Sequence, residues 1–361
     1  MTLDLDIPSL LQPFEQAARC GTDLRSDDDP NNAYRKIRDA RNEAREEERQ
    51  ADINNAAGSD AVPLWRDVWE NGQSYLKNYA KDLEIVAYMI EASVRLGGFG
   101  GLAESLQLTT ELLKSFWGEL LPTPDDEGIE TTLRPLTRLN GDVISYPLMR
   151  VPMTEDTTVG AMVVWQHAQA KQLETLSADE RDRRVASGAV TIEKFNRAVA
   201  ESSDAFFLDL STQIHDARTA LLELGAVLEE RVGDVEAPNL SRFQKAIDDG
   251  ESVLQQVAGN RIAKKVESSA TVSTASNGVG VAGATSVPGQ IGTRSDAFDL
   301  LETVAKWFET HEPQSILPSE IRKAIRRGKM SPQELYMDLI TDSEVRRQLY
   351  KDIGMPIPEN Q

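Results

Sequence analysis

Apolar residues recur along this chain at intervals of three and four, and the alternation expected of a strand is almost absent, so the pattern predicts an all-α protein. From Pro63 onward, Trp65, Val68, Trp69 and Leu76 share one face. Lys81-Asp82-Leu83 then opens a second amphipathic segment in which Leu83, Val86, Ala87, Ile90 and Val94 recur at helical spacing. Upstream, Asp29 and Pro30 read as an N-cap and first-turn pair for residues 31–50, whose dense charge and few apolar anchors predict a solvated helix.

The stretch RLGGFGGLAESL (95–106) invites a different reading. Gly98, Gly100 and Ala103 match the spacing of a dinucleotide-binding turn, in which glycines bring backbone N–H groups to a pyrophosphate. That turn needs a β-strand to deliver the chain into it. Here the preceding residues have helical period, and Gly97 stands where a glycine ends a helix. The stretch, with Gly101, therefore predicts a helix–helix corner that binds no nucleotide, with positive φ expected at Gly100. Leu102, Leu106, Leu108, Leu112, Leu113, Phe116 and Trp117 continue as a helix beyond it.

Two seams follow. Phe207, Leu210, Ile214, Ala217, Leu221, Leu224 and Leu228 step strictly by three and four, and beyond Pro238 so do Leu240, Phe243, Ile247, Gly250, Leu254 and Val257. They predict an antiparallel helical hairpin. Its flanks are covered either by the preceding domain or by self-association, which makes Leu210, Leu221 and Leu224 candidate interface residues. The pattern then stops: residues 268–293 carry no charge and no aromatic side chain, and read as a flexible linker with a reach of roughly 25–30 Å. Order returns at 294–361, with Phe298, Leu301, Val304, Ala305 and Phe308 on one face, a stop at Glu312-Pro313, and short helices near 318–328, 331–340 and 342–353.

Composition narrows the class. The chain has 361 residues, enough for two or three domains, and a formal net charge of −20, which disfavours nucleic acid and anionic lipid as partners. Residues 294–361 hold 10 Lys and Arg against 12 Asp and Glu, a net of −2 that leaves −18 for residues 1–293. Arg322, Lys323, Arg326, Arg327 and Lys329 form the one basic cluster, read either as an ordinary solvated helix face or as a contact for an acidic neighbour such as another copy. A domain this small has little core, so Phe298, Leu301, Trp307 and Phe308 are expected to be buried partly by neighbouring copies, with Glu312 grouped beside them. Cys20 is the sole cysteine, which excludes an intrachain disulfide and fits a reducing compartment. With no signal peptide and no uninterrupted membrane-length apolar run, the expected location is the cytoplasm, without membrane insertion.

Candidate chemistry is sparse. Asp27, Asp29 and Asn31 mimic the start of a calcium loop, but Asn32 replaces its glycine and Arg38 its closing glutamate. His167, His215 and His311 lie far apart, no G-x-S-x-G elbow occurs, and the pairs Asp125-Asp126 and Asp248-Asp249 read as water-facing. No catalytic residue, cofactor site or metal site is expected.

Several motifs in fixed order resemble a known family: Arg19-Cys20-Gly21-Thr22-Asp23-Leu24-Arg25, Pro63-Leu64-Trp65 with Val68, Lys81-Asp82-Leu83, Gly97 to Leu102, Trp117 with Leu120 and Pro122, and Arg134. Over about 150 residues they look like the ImpA N-terminal domain of the TssA proteins of type VI secretion, and residues 294–342 are similar to the TssA C-terminal segment. The family often places proline directly after the serine of Glu-Pro-x-Ser, whereas Ile316 and Leu317 intervene before Pro318 here. Residues 151–293 match in character only. The resemblance implies a cytoplasmic, non-enzymatic component of a contractile injection machine. Its C-terminal domain would form a homo-oligomeric ring, and its partners would be baseplate, inner-tube and sheath proteins and the membrane complex. The longer members' extended hydrophobic C-terminal half is not seen, which favours the baseplate over the distal sheath end. The expected domains are an ImpA-type domain at 1–153, a middle hairpin at 154–267, the linker at 268–293 and a ring-forming domain at 294–361. A generic cytoplasmic helical adaptor unrelated to secretion would share these features, and an enzyme of unrecognised type would need a polar pocket that gathers a histidine with carboxylates.

Overall fold

The computed structural model describes residues 3, 5–15, 18–54, 60–126, 128–272, 294–311, 316–330, 332–340, 347 and 350. Regular structure among them is helical: α1 (Ile7–Leu10), α2 (Ala33–Ile53), α3 (Ala61–Asn78), α4 (Leu83–Phe116), α5 (Ile129–Leu139), α6 (Asp142–Met149), α7 (Val164–Glu174), α8 (Ala178–Ala186), α9 (Ile192–Glu201), α10 (Asp204–Glu236), α11 (Ser241–Val272), α12 (Arg294–His311), α13 (Leu317–Lys329) and α14 (Pro332–Leu339). They gather into two compact units, Met1–Ser276 and Asn277–Gln361.

In the first unit α4 is the spine. Every residue from Leu83 to Val94 except Glu84 is buried, because the segment is apolar around its whole circumference and other helices must enclose it. α4 is long and apolar enough to cross a membrane, but 72% of its most hydropathic window is buried within the protein, as befits a core helix. It is also bent. Gly98 takes φ 58° and ψ −136° inside an otherwise helical run, so the corner expected from the glycines is real and no strand leads into it. The expected assignments within it shift, however: the break falls at Gly98 and not at Gly97, and Gly100 is helical and not in the positive-φ region. Gly101 serves the bend differently, because a Cβ there would collide with the Ser93 carbonyl oxygen across the corner.

Packing against the spine settles where the seams face. α10 runs along α4, and α11 returns against α10 and α6. Phe207, Leu210, Ile214, Ala217, Leu221, Leu224 and Leu228 are all buried in the core shared with α4. Gly250 of the second seam lets the ring of Phe99 on α4 approach, since a Cβ at that position would overlap it. Leu210, Leu221 and Leu224 are thus buried within their own chain, while Leu222 beside them is exposed. α10 itself is interrupted at Gly233, with φ 75°, ahead of the turn at Pro238.

Two start points also differ from expectation. The cap of α2 is Asn32, whose side chain accepts from the Arg35 N–H, while the Asp29 carboxylate accepts from Asn31 within the preceding turn. α2 is more than a solvated helix, because Tyr34, Ile37 and Ala44 are buried against its neighbours. Farther on, α11 remains helical through Val272, past the linker's expected start at 268; the linker positions 273–293 lie outside the described residues. In the second unit α12 and α13 pack together around Ala305 and Ile325. The helix expected at 342–353 falls outside the described residues except for Arg347 and Tyr350.

The three glycines of the bend should respond unequally to alanine. Gly101→Ala should lose about 2–3 kcal/mol of stability by overpacking against backbone, and Gly98→Ala about 1–3 kcal/mol by strain. Gly100→Ala, whose Cβ would meet only the Gln213 side chain at 3.3 Å, should stay within about 1 kcal/mol of the parent. Denaturant titration measures the order, and a costlier Gly100 variant would refute it.

Candidate interaction surfaces

The scattered N-terminal motifs converge in space. The Lys81 N–H donates to the Cys20 carbonyl at 2.8 Å, the Leu121 N–H to the Lys81 carbonyl at 3.0 Å, and the Leu83 N–H to the Leu121 carbonyl at 2.8 Å. Three motif segments are thereby tied at one point. Gly21, at φ 84°, is required because a Cβ would strike the Tyr79 carbonyl. The Lys81 ammonium is enclosed, donating to the carbonyls of Leu10 at 2.6 Å and Leu76 at 2.7 Å, and burial pulls its pKa down to about 8. Asp82 caps α4 by accepting from the Glu84 N–H at 2.9 Å, and its other oxygen meets Arg25 at 2.8 Å. Trp117 closes the far end of α4, with the Arg231 guanidinium 5.9 Å above its ring, and the Pro122 carbonyl accepts from Thr132 at 2.6 Å. Trp65 is buried and donates through its indole to Glu48 at 2.8 Å.

A row of arginine–carboxylate pairs continues from this knot along α2 and α4. Arg25 reaches Glu84, which also accepts from the hydroxyls of Tyr34 and Tyr88. Burial opposes charge on Arg25, but Asp82 and Glu84 hold its pKa above the ordinary arginine value. Burial likewise opposes charge on Glu84, yet the bonds from Arg25, Tyr88 and Tyr34 hold its pKa below the ordinary 4.5. Two turns further on, Glu91 has no exposed surface and is gripped by Arg41 and Arg45 at 2.6 and 2.7 Å. Sequence reasoning missed Glu91, Arg41 and Arg45. The available signal was a lone acid in an apolar helix, opposite two arginines spaced by one helical turn.

Where α4 bends, a cleft of about 560 Å³ opens among α2, α3, α6 and α10. Arg95 lies on its wall, stacked 4.1 Å over Trp65 and paired through both nitrogens with Glu48. Arg150 stacks 4.3 Å over Tyr146, and both contact Asp52. Gly97 and Gly98 contribute to the lining.

In the second unit the basic cluster is largely consumed internally. Arg322 pairs with Glu302 at 3.2 Å and Glu309 at 2.7 Å, and Arg326 and Arg327 both meet Asp338, at 3.3 and 2.6 Å. These pairs fasten α12 and α14 to α13. Phe298 lies against Gly328, with Lys329 5.5 Å over its ring, and Phe308 stacks edge-on with Trp307. Leu300, Leu301, Val304 and Trp307 remain exposed along α12, Trp307 by 51%. Glu312 lies outside the described residues. Among the described residues no group of three His, Cys, Asp or Glu side chains is placed to hold a metal; His167 is buried beside Phe195, and His215 is exposed.

The family described as "ImpA, N-terminal, type VI secretion system" matches residues 11–141, the stretch that holds the knot and the arginine row. The chain is 25% identical over 352 residues, 94% of its length and 96% of the other protein's, to the type VI secretion system component TssA1 of Pseudomonas aeruginosa. A solved N-terminal domain of the TssA component from Burkholderia cenocepacia, which includes the conserved ImpA_N region, superposes with a TM-score of 0.61 at 25% identity, over 72% of this chain and 95% of that one. The chain is thus similar to TssA proteins of type VI secretion along nearly its whole length. In this chain the motif residues Lys81, Asp82, Leu83 and Gly101 brace the fold: each is buried and in contact with its own chain.

Removing the centre of the row should therefore be costly. Glu91→Ala leaves two guanidinium groups facing an emptied core and should lose about 3–5 kcal/mol, whereas Arg38→Ala, which breaks only the exposed pair with Asp39, should lose under about 1 kcal/mol. Because the folded pKa of Glu84 is depressed, its contribution is present above pH 4.5 and disappears as pH falls through the lower folded value. Glu84→Gln should flatten that part of the stability profile; an unchanged acid limb would show that Glu84 is not charged in the fold.

Proposed function

We propose that this protein is a non-enzymatic, cytoplasmic structural component of a type VI secretion system. In this reading it assembles as a homo-oligomeric ring through residues 294–361 and links the baseplate to the growing inner tube and sheath. The observation that carries the assembly reading is the exposed row Leu300, Leu301 and Val304 on α12. A unit this small cannot enclose them, and ring neighbours would remove them from water. Supporting the non-enzymatic reading, Arg25, Asp82, Glu84 and Glu91 are engaged in ion pairs and helix capping and do not line the cleft at the bend. The net charge of −18 on residues 1–293 suits first units that spread apart while their second units touch. The reading places assembly in the second unit alone, because Leu210, Leu221 and Leu224 are spent in the first unit's core.

Light scattering tests this. The full chain should form a particle of many copies, and residues 1–276 alone should be monomeric. Leu301→Glu combined with Val304→Glu should dissociate the full-length particle while leaving its helical content unchanged. A large oligomer from residues 1–276, or a double variant that assembles like the parent, would overturn the proposal. A full chain that stops at a dimer would favour the adaptor reading.

A further inference from the structure

The cleft at the bend of α4 has the composition of a docking site. Its wall is apolar at Val62, which is half exposed, and at Phe206, whose ring is held edge-on by Phe207 at 5.5 Å. Its size lies in the range that receives a few side chains and excludes a folded domain. Its charges are unequally matched. Arg95 is engaged by Glu48 and by the Glu91 carbonyl, and Arg150 pairs with Asp52. Asp209 is exposed on the rim and receives only the Gln213 amide at 2.7 Å, with no cation paired to it among the described residues. Two of three acids are neutralised and one is not, within a region that is itself strongly acidic. A cation arriving beside apolar surface would be attracted over distance and fixed at Asp209.

We propose that this cleft docks a short segment of a protein partner carrying lysine or arginine beside a bulky apolar side chain. The apolar group seats against Val62 and Phe206, and the cation pairs with Asp209. This site is separate from the α12 row and does not depend on the assembly proposed above.

Fluorescence polarisation on the full chain tests it, with short synthetic helical peptides of leucine, tryptophan and lysine and their glutamate-for-lysine counterparts as probes. The basic peptide should bind saturably and the acidic one should not. Val62→Glu should weaken binding by about tenfold or more, and Asp209→Lys by about three- to tenfold. Asp67→Lys, at an exposed position on α3 that does not line the cleft, makes the same change in net charge and should leave binding near the parent value. Circular dichroism should report folded protein for all three variants. Equal weakening by Asp67→Lys would reduce the effect to diffuse attraction and overturn the proposal, as would binding insensitive to Val62→Glu or equal binding of the acidic peptide. A photo-crosslinker at position 62 that joins two copies of this chain in place of the peptide would assign the cleft to self-association and also overturn it.

Discussion

A carboxylate removed from water has to be matched where it stands, and in the first unit that constraint falls on α4. Asp82 and Glu91 have no exposed surface, and an unpaired charge in such a place would cost several kcal/mol. Arg25, Arg41 and Arg45 supply the match, and all three come from one stretch that has to lie along α4 at one angle and one register to reach them. The position of α2 follows from this, and with it the seat of α3, which packs between the two. The high charge density of α2 is accordingly divided: its outer face is left to water, and its inner arginines specify a partner. Burying such pairs adds little net energy, but an arrangement of α2 that took Arg41 and Arg45 away would strand Glu91.

Helical spacing made the fold class and the buried faces legible in the chain. Leu210, Leu221 and Leu224 show the limit of that signal, because a three-four seam states that a face is covered without stating by what. The cover turned out to be α4, whose apolar circumference could accept a helix on any side. The glycine cluster shows a second limit. Four nearly adjacent glycines look alike in sequence, yet Gly98 is needed for its φ and Gly101 for the nearness of Ser93, and only packing distinguishes them. Charge counting failed for a related reason. Arg322, Arg326 and Arg327 form a basic cluster along the chain, but Glu302, Glu309 and Asp338 reach them from other helices.

The family motifs carry a similar lesson. Cys20, Gly21, Lys81, Asp82 and Leu121 sit far apart in the chain and meet through main-chain hydrogen bonds, for which side-chain identity is a weak guide. Lys81 is a charged residue, yet it is enclosed, with its ammonium donating to the carbonyls of Leu10 and Leu76. Residues from three separate segments thereby close one junction. The cleft at the bend and the exposed apolar row along α12 are formed by other residues.

The internal pairing of the α13 arginines sets the thermodynamic character of anything that covers α12. With Arg322 and Arg327 already bound to acids of their own unit, contact through Leu300, Leu301 and Val304 gains by removing carbon from water. Association of that kind has a negative heat-capacity change, weakens on cooling and is little affected by ionic strength. On the assembly proposed above, a chain carrying twenty excess negative charges would thus have a contact face whose local strength is set by temperature more than by salt.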